Sequence, residues 1–416
     1  MSKTQELLNL LADSIGTAKL LMLVNYRPEY SHQWSSKTYY TQLRLDPLGK
    51  ESAEEMLSAL LGDGKDLIPL KRLIIERTEG TPFFMEEIVQ SLFEDGVLQR
   101  NGTVKLAKSM NAVKVPATVQ AILASRIDRL PADEKELLQT LGVLGREFPF
   151  GLVRRVTLRP DDDLNRMLGA LQLAEFIYEQ TGVGDTEYIF KHALTQEVAY
   201  SSLLVERRRA IHQRAADAIE ATFNDRLEDH FSELAHHYVL SSDQAKAIHY
   251  SQAAAQQAAD RSAFREAAKN LEAALQLLDK LPDNSERLRT ELKLRNTQVA
   301  VAGVLCGIAS NERLRAIERV CELSERLGET VMQLHGLINL AQLYYPRGEP
   351  ARVLELSDRC LKLAESADNL EAIAFAYMTR AFAAHGFGRF NEAILHYQDA
   401  ILHAKRATRR GLIMPI

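Results

Sequence analysis

Apolar residues recur at three- and four-residue spacings through most of this chain, the period of helices that bury one face. Phe84, Met85, Ile88, Val89, Leu92 and Phe93 form one such face. Glu79-Gly80-Thr81-Pro82 precedes it as a loop turning into a helix. Gly80 supplies backbone freedom, Thr81 can cap, and Pro82 suits the first helical position because its missing N–H costs nothing there. Glu51 to Leu61 and Leu67 to Thr78 are also amphipathic, so three helices are predicted, stopping at Gly96 and followed by a turn at Asn101-Gly102. The first 46 residues read differently. Leu7, Leu8, Leu11 and Ile15 predict a short amphipathic helix, and Leu20-Leu21-Met22-Leu23-Val24 is an unbroken apolar run between turn signals. Such a run predicts a strand buried on both faces, as in the middle of a parallel sheet. Tyr39 to Leu45 is the other strand-like segment nearby, so the run lacks the neighbours a central strand needs.

A new pattern begins near Val115-Pro116. Pro116 to Leu130 and Pro131 to Leu144 are predicted helices, each opened by Pro, and Phe148-Pro149-Phe150 leads into a third at residues 151–157. Asp161-Asp162-Asp163 opens a helix through Leu173, and acidic residues there complement the helix dipole, which makes them a helix start rather than a metal site. Phe176 to Glu179 and Thr186 to Phe190 bracket Thr181-Gly182-Val183-Gly184-Asp185 and predict a hairpin. Helices followed by a hairpin predict a winged-helix fold. The remainder is repetitive. Phe264-Arg265-Glu266-Ala267 with Leu271 and Ala274-Leu275, Gly348-Glu349-Pro350-Ala351 with Leu356 and Leu361, and Gly388-Arg389-Phe390-Asn391-Glu392-Ala393 with Tyr397 and Ala400 are copies of one helical pattern. The chain stops soon after Lys405-Arg406, with the apolar Leu412-Ile413-Met414 following and no polar cap, so a cut end is expected.

Composition narrows the function classes. The 416 residues are 46% hydrophobic and 26% charged, ordinary globular material for two to four domains. A net charge of −5 gives no electrostatic case for nucleic acid or an anionic membrane. Cys306, Cys321 and Cys360 lie far apart without CxxC spacing, which predicts reduced thiols and a cytoplasmic location. No apolar run is long enough for a membrane span. His212, His236 and His237 lack metal-ligand spacing, and Arg207-Arg208-Arg209 predicts a solvated helix face. The phosphate-cradling pattern G-x-x-x-x-G-K-[ST] does not occur, and Gly62-Asp63-Gly64-Lys65-Asp66 has neither its spacing nor its Ser/Thr.

Three phrases carry a resemblance. Glu79-Gly80-Thr81-Pro82-Phe83-Phe84-Met85-Glu86-Glu87 resembles the Gly-x-Pro segment in the lid of the STAND class of P-loop ATPases. The likeness is to bacterial predicted ATPases that are often linked to class III adenylate or guanylate cyclases and tailed by tetratricopeptide repeats. Asn25-Tyr26-Arg27-Pro28-Glu29 is similar to the segment after that family's sensor strand, and Phe190-Lys191-His192-Ala193-Leu194-Thr195-Gln196-Glu197-Val198-Ala199-Tyr200 is similar to its wing-exit phrase. The resemblance covers residues 4 to 404 and starts downstream of Walker A and Walker B. It implies a mostly α chain: residues 1–46 as the remnant of an α/β NTPase sheet, 47–110 as a helical AAA-type lid, 111–200 as a winged-helix domain and 201–416 as a tetratricopeptide-like α-solenoid. It further implies that Pro82 with Gly80 lies against the adenine of ATP or ADP, that Arg27 senses phosphate and that His192 meets phosphate.

The expected function is therefore the regulatory or scaffold portion of a signalling ATPase, with no catalytic residues and no cofactor held by this chain alone. Its expected partners are a protein or inducer on the repeats and the missing NTPase half. A nucleotide-binding switch module of a cyclase-linked ATPase is one alternative. A winged-helix DNA regulator is another, but a reading helix at residues 161–173 would set Asn165, Arg166 and Gln172 beside three carboxylates. With its sheet neighbours absent, the run at residues 20–24 is expected to leave open edges and to promote aggregation.

Overall fold

A computed structural model describes residues 3–26, 30–108, 115–180 and 186–409. The chain is mostly helical and divides into two compact units, residues 1–222 and 223–416.

The first unit opens with α1 (Lys3–Ser14). The predicted strand at residues 20–24 does not form: the segment has no regular secondary structure, with Leu21 82% and Leu23 81% exposed. Residues 39–45 are likewise not a strand. A strand buried on both faces exists only as part of a sheet; here residues 39–43 share a cleft with residues 20–24, but neither segment forms strand pairing. The segment is instead organised by aromatic contacts. Trp34 is buried, donates from Nε1 to Asn9 Oδ1 at 2.8 Å and stacks on His32.

α2 (Lys50–Leu61), α3 (Ile68–Thr78) and α4 (Pro82–Glu94) follow where their periodicity placed them. Leu57, Leu61, Leu67, Leu70, Ile74, Met85, Ile88 and Leu92 meet in one core. A hairpin of β1 (Leu98–Asn101) and β2 (Thr103–Leu106) pairs Leu98 with Leu106 around the turn at Gly102 and adds Leu98 to that core. α5 (Val119–Arg129) starts at Thr118, not at Pro116, because the Thr118 hydroxyl accepts the Ala121 N–H at 3.2 Å.

α6 (Ala132–Leu144), β3 (Glu147–Pro149), α7 (Phe150–Thr157), α8 (Asp161–Leu173), β4 (Ile177–Gln180) and β5 (Glu187–Phe190) come next. The sheet order is β3-β5-β4, antiparallel throughout, with Phe148 opposite Tyr188 and Tyr178 opposite Ile189. The expected turn at residues 181–185 lies outside the described residues. α9 (Ala193–Ser201) packs on α6, and α10 (Val205–Thr222) packs on α6 and α7. The expected start of the repeats at residue 201 therefore precedes a helix that belongs to the first unit.

The second unit is a stack of helices, each packed against its neighbours in sequence: α11 (Phe231–Val239), α12 (Gln244–Asp260), α13 (Phe264–Leu278), α14 (Ser285–Leu305), α15 (Asn311–Leu327), α16 (Thr330–Tyr344), α17 (Pro350–Ser366), α18 (Leu370–Gly386) and α19 (Phe390–Arg409). Contacts of α12 with α14 and of α16 with α18 add the second direction of the stack. Asp243, Asn284, Ser310 and Asn369 each accept a backbone N–H in the first turn of the helix they open, worth about 1 kcal/mol apiece. Alanines at Ala267, Ala274, Ala364, Ala376 and Ala383 are buried and let the helices approach. At Gly336 of α16 an added Cβ would lie 2.5 Å from Cys321 Sγ of α15. Between α14 and α15, burial pushes the Glu291 carboxyl up, but hydrogen bonds of 2.8 Å from Arg319 Nε and Nη2 outweigh it and hold the group below its ordinary range.

Candidate functional site

The site is built on the turn from α3 into α4. α3 ends with Glu79 in the left-handed region at φ 49°, and Gly80 follows at φ 75°. Gly80 is buried, and its carbonyl accepts the Leu48 N–H at 2.8 Å. A Cβ at Gly80 would fall 2.1 Å from the Leu48 carbonyl oxygen, so both the backbone angle and the space require glycine. Thr81 takes the cap position without a side-chain hydrogen bond, and Pro82 begins α4 with its ring exposed. Phe83, the next residue, points across to the loop that leaves the sheet.

That loop carries His192. Its ring lies 3.8 Å from the Phe83 ring, centroid to centroid, at an interplanar angle of 42°. His192 occupies the position before α9, and its carbonyl accepts the Thr195 N–H at 3.1 Å. Its Nε2 is buried and makes no hydrogen bond. Burial, with Lys191 and Arg146 adding positive charge nearby, holds the imidazole below its ordinary pKa and therefore neutral at pH 7. The fold thus brings Gly80, Pro82 and His192 to one place. Arg27 lies outside the described residues.

Lys191 points the other way, pairing with Glu175 and lying 3.9 Å from Glu86. Together with Gln90 and Arg100 these residues line a cleft of about 550 Å³ along α4. Beneath it Arg126 of α5 is buried to 2% exposure. Its guanidinium donates to Glu94, from Nε at 2.9 Å and from Nη2 at 2.7 Å, to Glu87, and to the Ala174 carbonyl at 2.7 Å, and lies 4.7 Å from the Phe176 ring centroid. Burial pushes the Glu87 carboxyl up in spite of Arg126, whose charge is shared with Glu94. This cluster ties α4 to α5 and to the end of α8. Sequence periodicity alone did not single it out, yet a signal existed. Arg126 interrupts the apolar stripe Ile122, Leu123, Ile127, and Glu87 interrupts Met85, Ile88. A charge on a core face implies a buried partner.

A nucleotide can be tested against these groups. His192 Nε2 is an orphaned polar atom, buried beside the Phe83 ring. The surrounding charges, Lys191 with Glu175 and Arg126 with its two carboxylates, are already paired and form no phosphate cradle. On α8, Asp161, Asp162 and Asp163 are exposed, with Arg166 3.8 Å from Asp163 and Arg154 3.4 Å from Asp161, an acidic surface unsuited to DNA phosphate. Among the described residues no group of three His, Cys, Asp or Glu could hold a metal, and no helix is long and apolar enough to cross a membrane. Burial pushes the Cys321 and Cys360 thiols up to about 11, so neither is a ready nucleophile.

Comparison with known proteins gives distant likenesses. No protein-family model matches the chain. An uncharacterised protein of Rhizobium meliloti (strain 1021) is 27% identical over 332 residues, which are 78% of this chain and 31% of that protein. The chain thus spans about a third of the length of the curated relative it matches. Among solved structures, a Signal Transduction ATPase with Numerous Domains (STAND) protein with a tetratricopeptide repeat sensor from Pyrococcus horikoshii is 14% identical, with a TM-score of 0.31, over 86% of this chain and 54% of that one.

Proposed function

We propose that this chain is the regulatory portion of a STAND-type signalling ATPase: a lid and a winged-helix arm that face a nucleotide, followed by tetratricopeptide-like repeats that receive a protein or inducer. The observation that carries the reading is the contact of Phe83 with His192. Two phrases far apart in sequence, each singled out for its likeness to that class, meet in one place. The order of α6, β3, α7, α8, β4 and β5, with the sheet ordered β3-β5-β4, supports reading this part as a winged helix, with α5 outside it.

In this reading Gly80 shapes the turn that presents Pro82, Phe83 keeps water from His192, and the Lys191–Glu175 pair fixes the loop. Bound ATP or ADP would supply a base for Pro82, and an anion would reach His192 only once Phe83 moved aside. The chain performs no hydrolysis itself, because no segment has the G-x-x-x-x-G-K-[ST] spacing that cradles and orients phosphates. Inducer binding on the stack would loosen the arm from the nucleotide.

The test is ATP turnover and ADP calorimetry on the purified chain, with His192→Ala and Arg27→Ala alongside. The expected result is phosphate release at the level of buffer, with ADP heats no larger than those of His192→Ala. Turnover that Arg27→Ala abolishes would overturn the regulatory reading.

A further inference from the structure

Within the stack, α16 and α18 enclose a cavity of about 260 Å³. Leu334 and Ile338, one turn apart on α16, and Phe375 on α18 give it apolar walls. Its polar groups differ in how far they are already used. Asn339 accepts from Arg313 Nη2 at 2.8 Å through Oδ1 and donates from Nδ2 to the His335 carbonyl at 2.9 Å. Glu371 on α18 is half-buried and makes no hydrogen bond or ion pair with another described residue, and its Oε1 is covered without a partner. Its place in the first turn does not supply one, because the Ala372 N–H goes to Asn369 Oδ1 at 3.0 Å.

We propose that this cavity receives one basic side chain, arginine or lysine, of a partner protein, with the cationic head on Glu371 and the stem between Leu334, Ile338 and Phe375. The proposal rests on the reading of the stack as the surface that receives a protein, and it names the chemistry of the contact. Charge selects the occupant. Glu371 is the one carboxylate among the lining residues, and no Lys or Arg lies there to answer it. A covered acceptor without a donor is costly, and an incoming N–H removes that cost. The carboxylate can present either oxygen to the cavity by turning about its last bond, a soft torsion. The walls select the same occupant, because Lys and Arg lay their stems along apolar surface while the head stays among polar groups. Size agrees as well. Pockets for whole small molecules run about 300–1,000 Å³, and this one falls below that range, which suits a single long side chain.

The experiment titrates the full chain with N-acetyl-arginine methylamide and N-acetyl-lysine methylamide while the methyl resonances of Leu334 and Ile338 are followed by NMR. N-acetyl-norleucine methylamide serves as a stem without a head. Saturable shifts are expected with at least one basic compound, and binding of the norleucine compound at least about tenfold weaker, the scale of one charge-assisted hydrogen bond. Glu371→Gln is expected to weaken the basic compound by the same factor, with an unchanged far-ultraviolet circular dichroism spectrum. Val331→Trp, at a rim position that is 56% exposed, is expected to block the cavity without touching its floor. No saturable shift with either basic compound overturns the proposal. So does a norleucine compound that binds equally well, or binding that survives Glu371→Gln or Val331→Trp. A protein partner that binds the stack equally well after Glu371→Gln would end this proposal and leave the wider reading of the stack standing.

Discussion

Arg126 holds Glu94 through two nitrogens, Nε and Nη2, at 2.9 Å and 2.7 Å from the same carboxylate oxygen. The arginine belongs to α5 and the carboxylate to α4, so the bond joins the bundle of α2 to α4 to the elements that follow it. Glu87 completes the cluster from one turn of α4 and Ala174 from the end of α8. A guanidinium this deep is stable only because each face of its fork meets an acceptor.

Removing Arg126 should therefore be costly. Arg126→Ala leaves the buried Glu87 without its ion-pair partner and Glu94 with only Arg129 at 3.9 Å, and is expected to destabilise the first unit by about 3–5 kcal/mol. Adding Glu87→Gln to that variant should restore part of the loss, because the remaining buried group is then neutral. Chemical denaturation of the single and double variants checks this, and a double variant less stable than Arg126→Ala would show that the charge on Glu87 is not the problem.

Gly80→Ala tests the turn that carries Pro82. At φ 75°, and with Leu48 O 2.1 Å from the new Cβ, the substitution must both strain the backbone and break the Leu48 to Gly80 hydrogen bond. The expected cost is about 2–4 kcal/mol, above the roughly 1–2 kcal/mol of the left-handed backbone angle alone. A variant melting within a degree of the parent would contradict it.

His192 should titrate below an ordinary histidine, since burial favours its neutral form. Phe83→Ala opens that face to water and is expected to move the His192 pKa upward toward about 6.5. Following its ring protons by NMR across pH decides the matter. A pKa unchanged by the substitution would mean that Lys191 and Arg146, rather than the aromatic cover, set it.

In the second unit, burial and then His236 lower the His237 pKa to about 4. The unfolded histidine binds its proton near pH 6.5, so stability is fully present above that pH and falls as pH drops toward 4, by about 3 kcal/mol at most. Thermal unfolding at several pH values should show this slope, and His237→Gln should flatten it.

Gly336→Ala is expected to cost about 1–3 kcal/mol, the range for overpacking, because the new methyl meets Cys321 Sγ at 2.5 Å. Cys321→Ala removes the sulfur and should make Gly336→Ala nearly neutral in that background. Additive effects in the double variant, measured by denaturation, would place the cost elsewhere.

Much of this architecture could be read from residue spacing. α8 spans Asp161–Leu173, where the acidic start and apolar periodicity put it, and α2, α3 and α4 follow their stripes to within a residue or two. Local signals of capping and period suffice for such helices. Residues 20–24 failed because an apolar run specifies burial only through neighbours, and sequence spacing says nothing about whether those neighbours are present. β3 escaped notice because three residues with a proline carry no alternation to detect. At the site, Gly80, Pro82 and His192 were visible as phrases, while the meeting of Phe83 with His192 and the burial of Arg126 depend on pairing across α4, α5 and the sheet. No local rule reports that.

The hydrogen bond from Leu48 N–H to the Gly80 carbonyl has a mechanical consequence. Leu48 directly precedes Gly49, the cap of α2, and the chain ahead of it has no regular secondary structure over residues 40–48. Tension applied to that leading segment would load this bond together with the packing of Leu48 on the core of α2 to α4. The load would fall on the turn that sets Pro82 and Phe83, and so on the cover over His192. A pull at one end of the chain and the exposure of one imidazole are thereby geared together through a few backbone atoms.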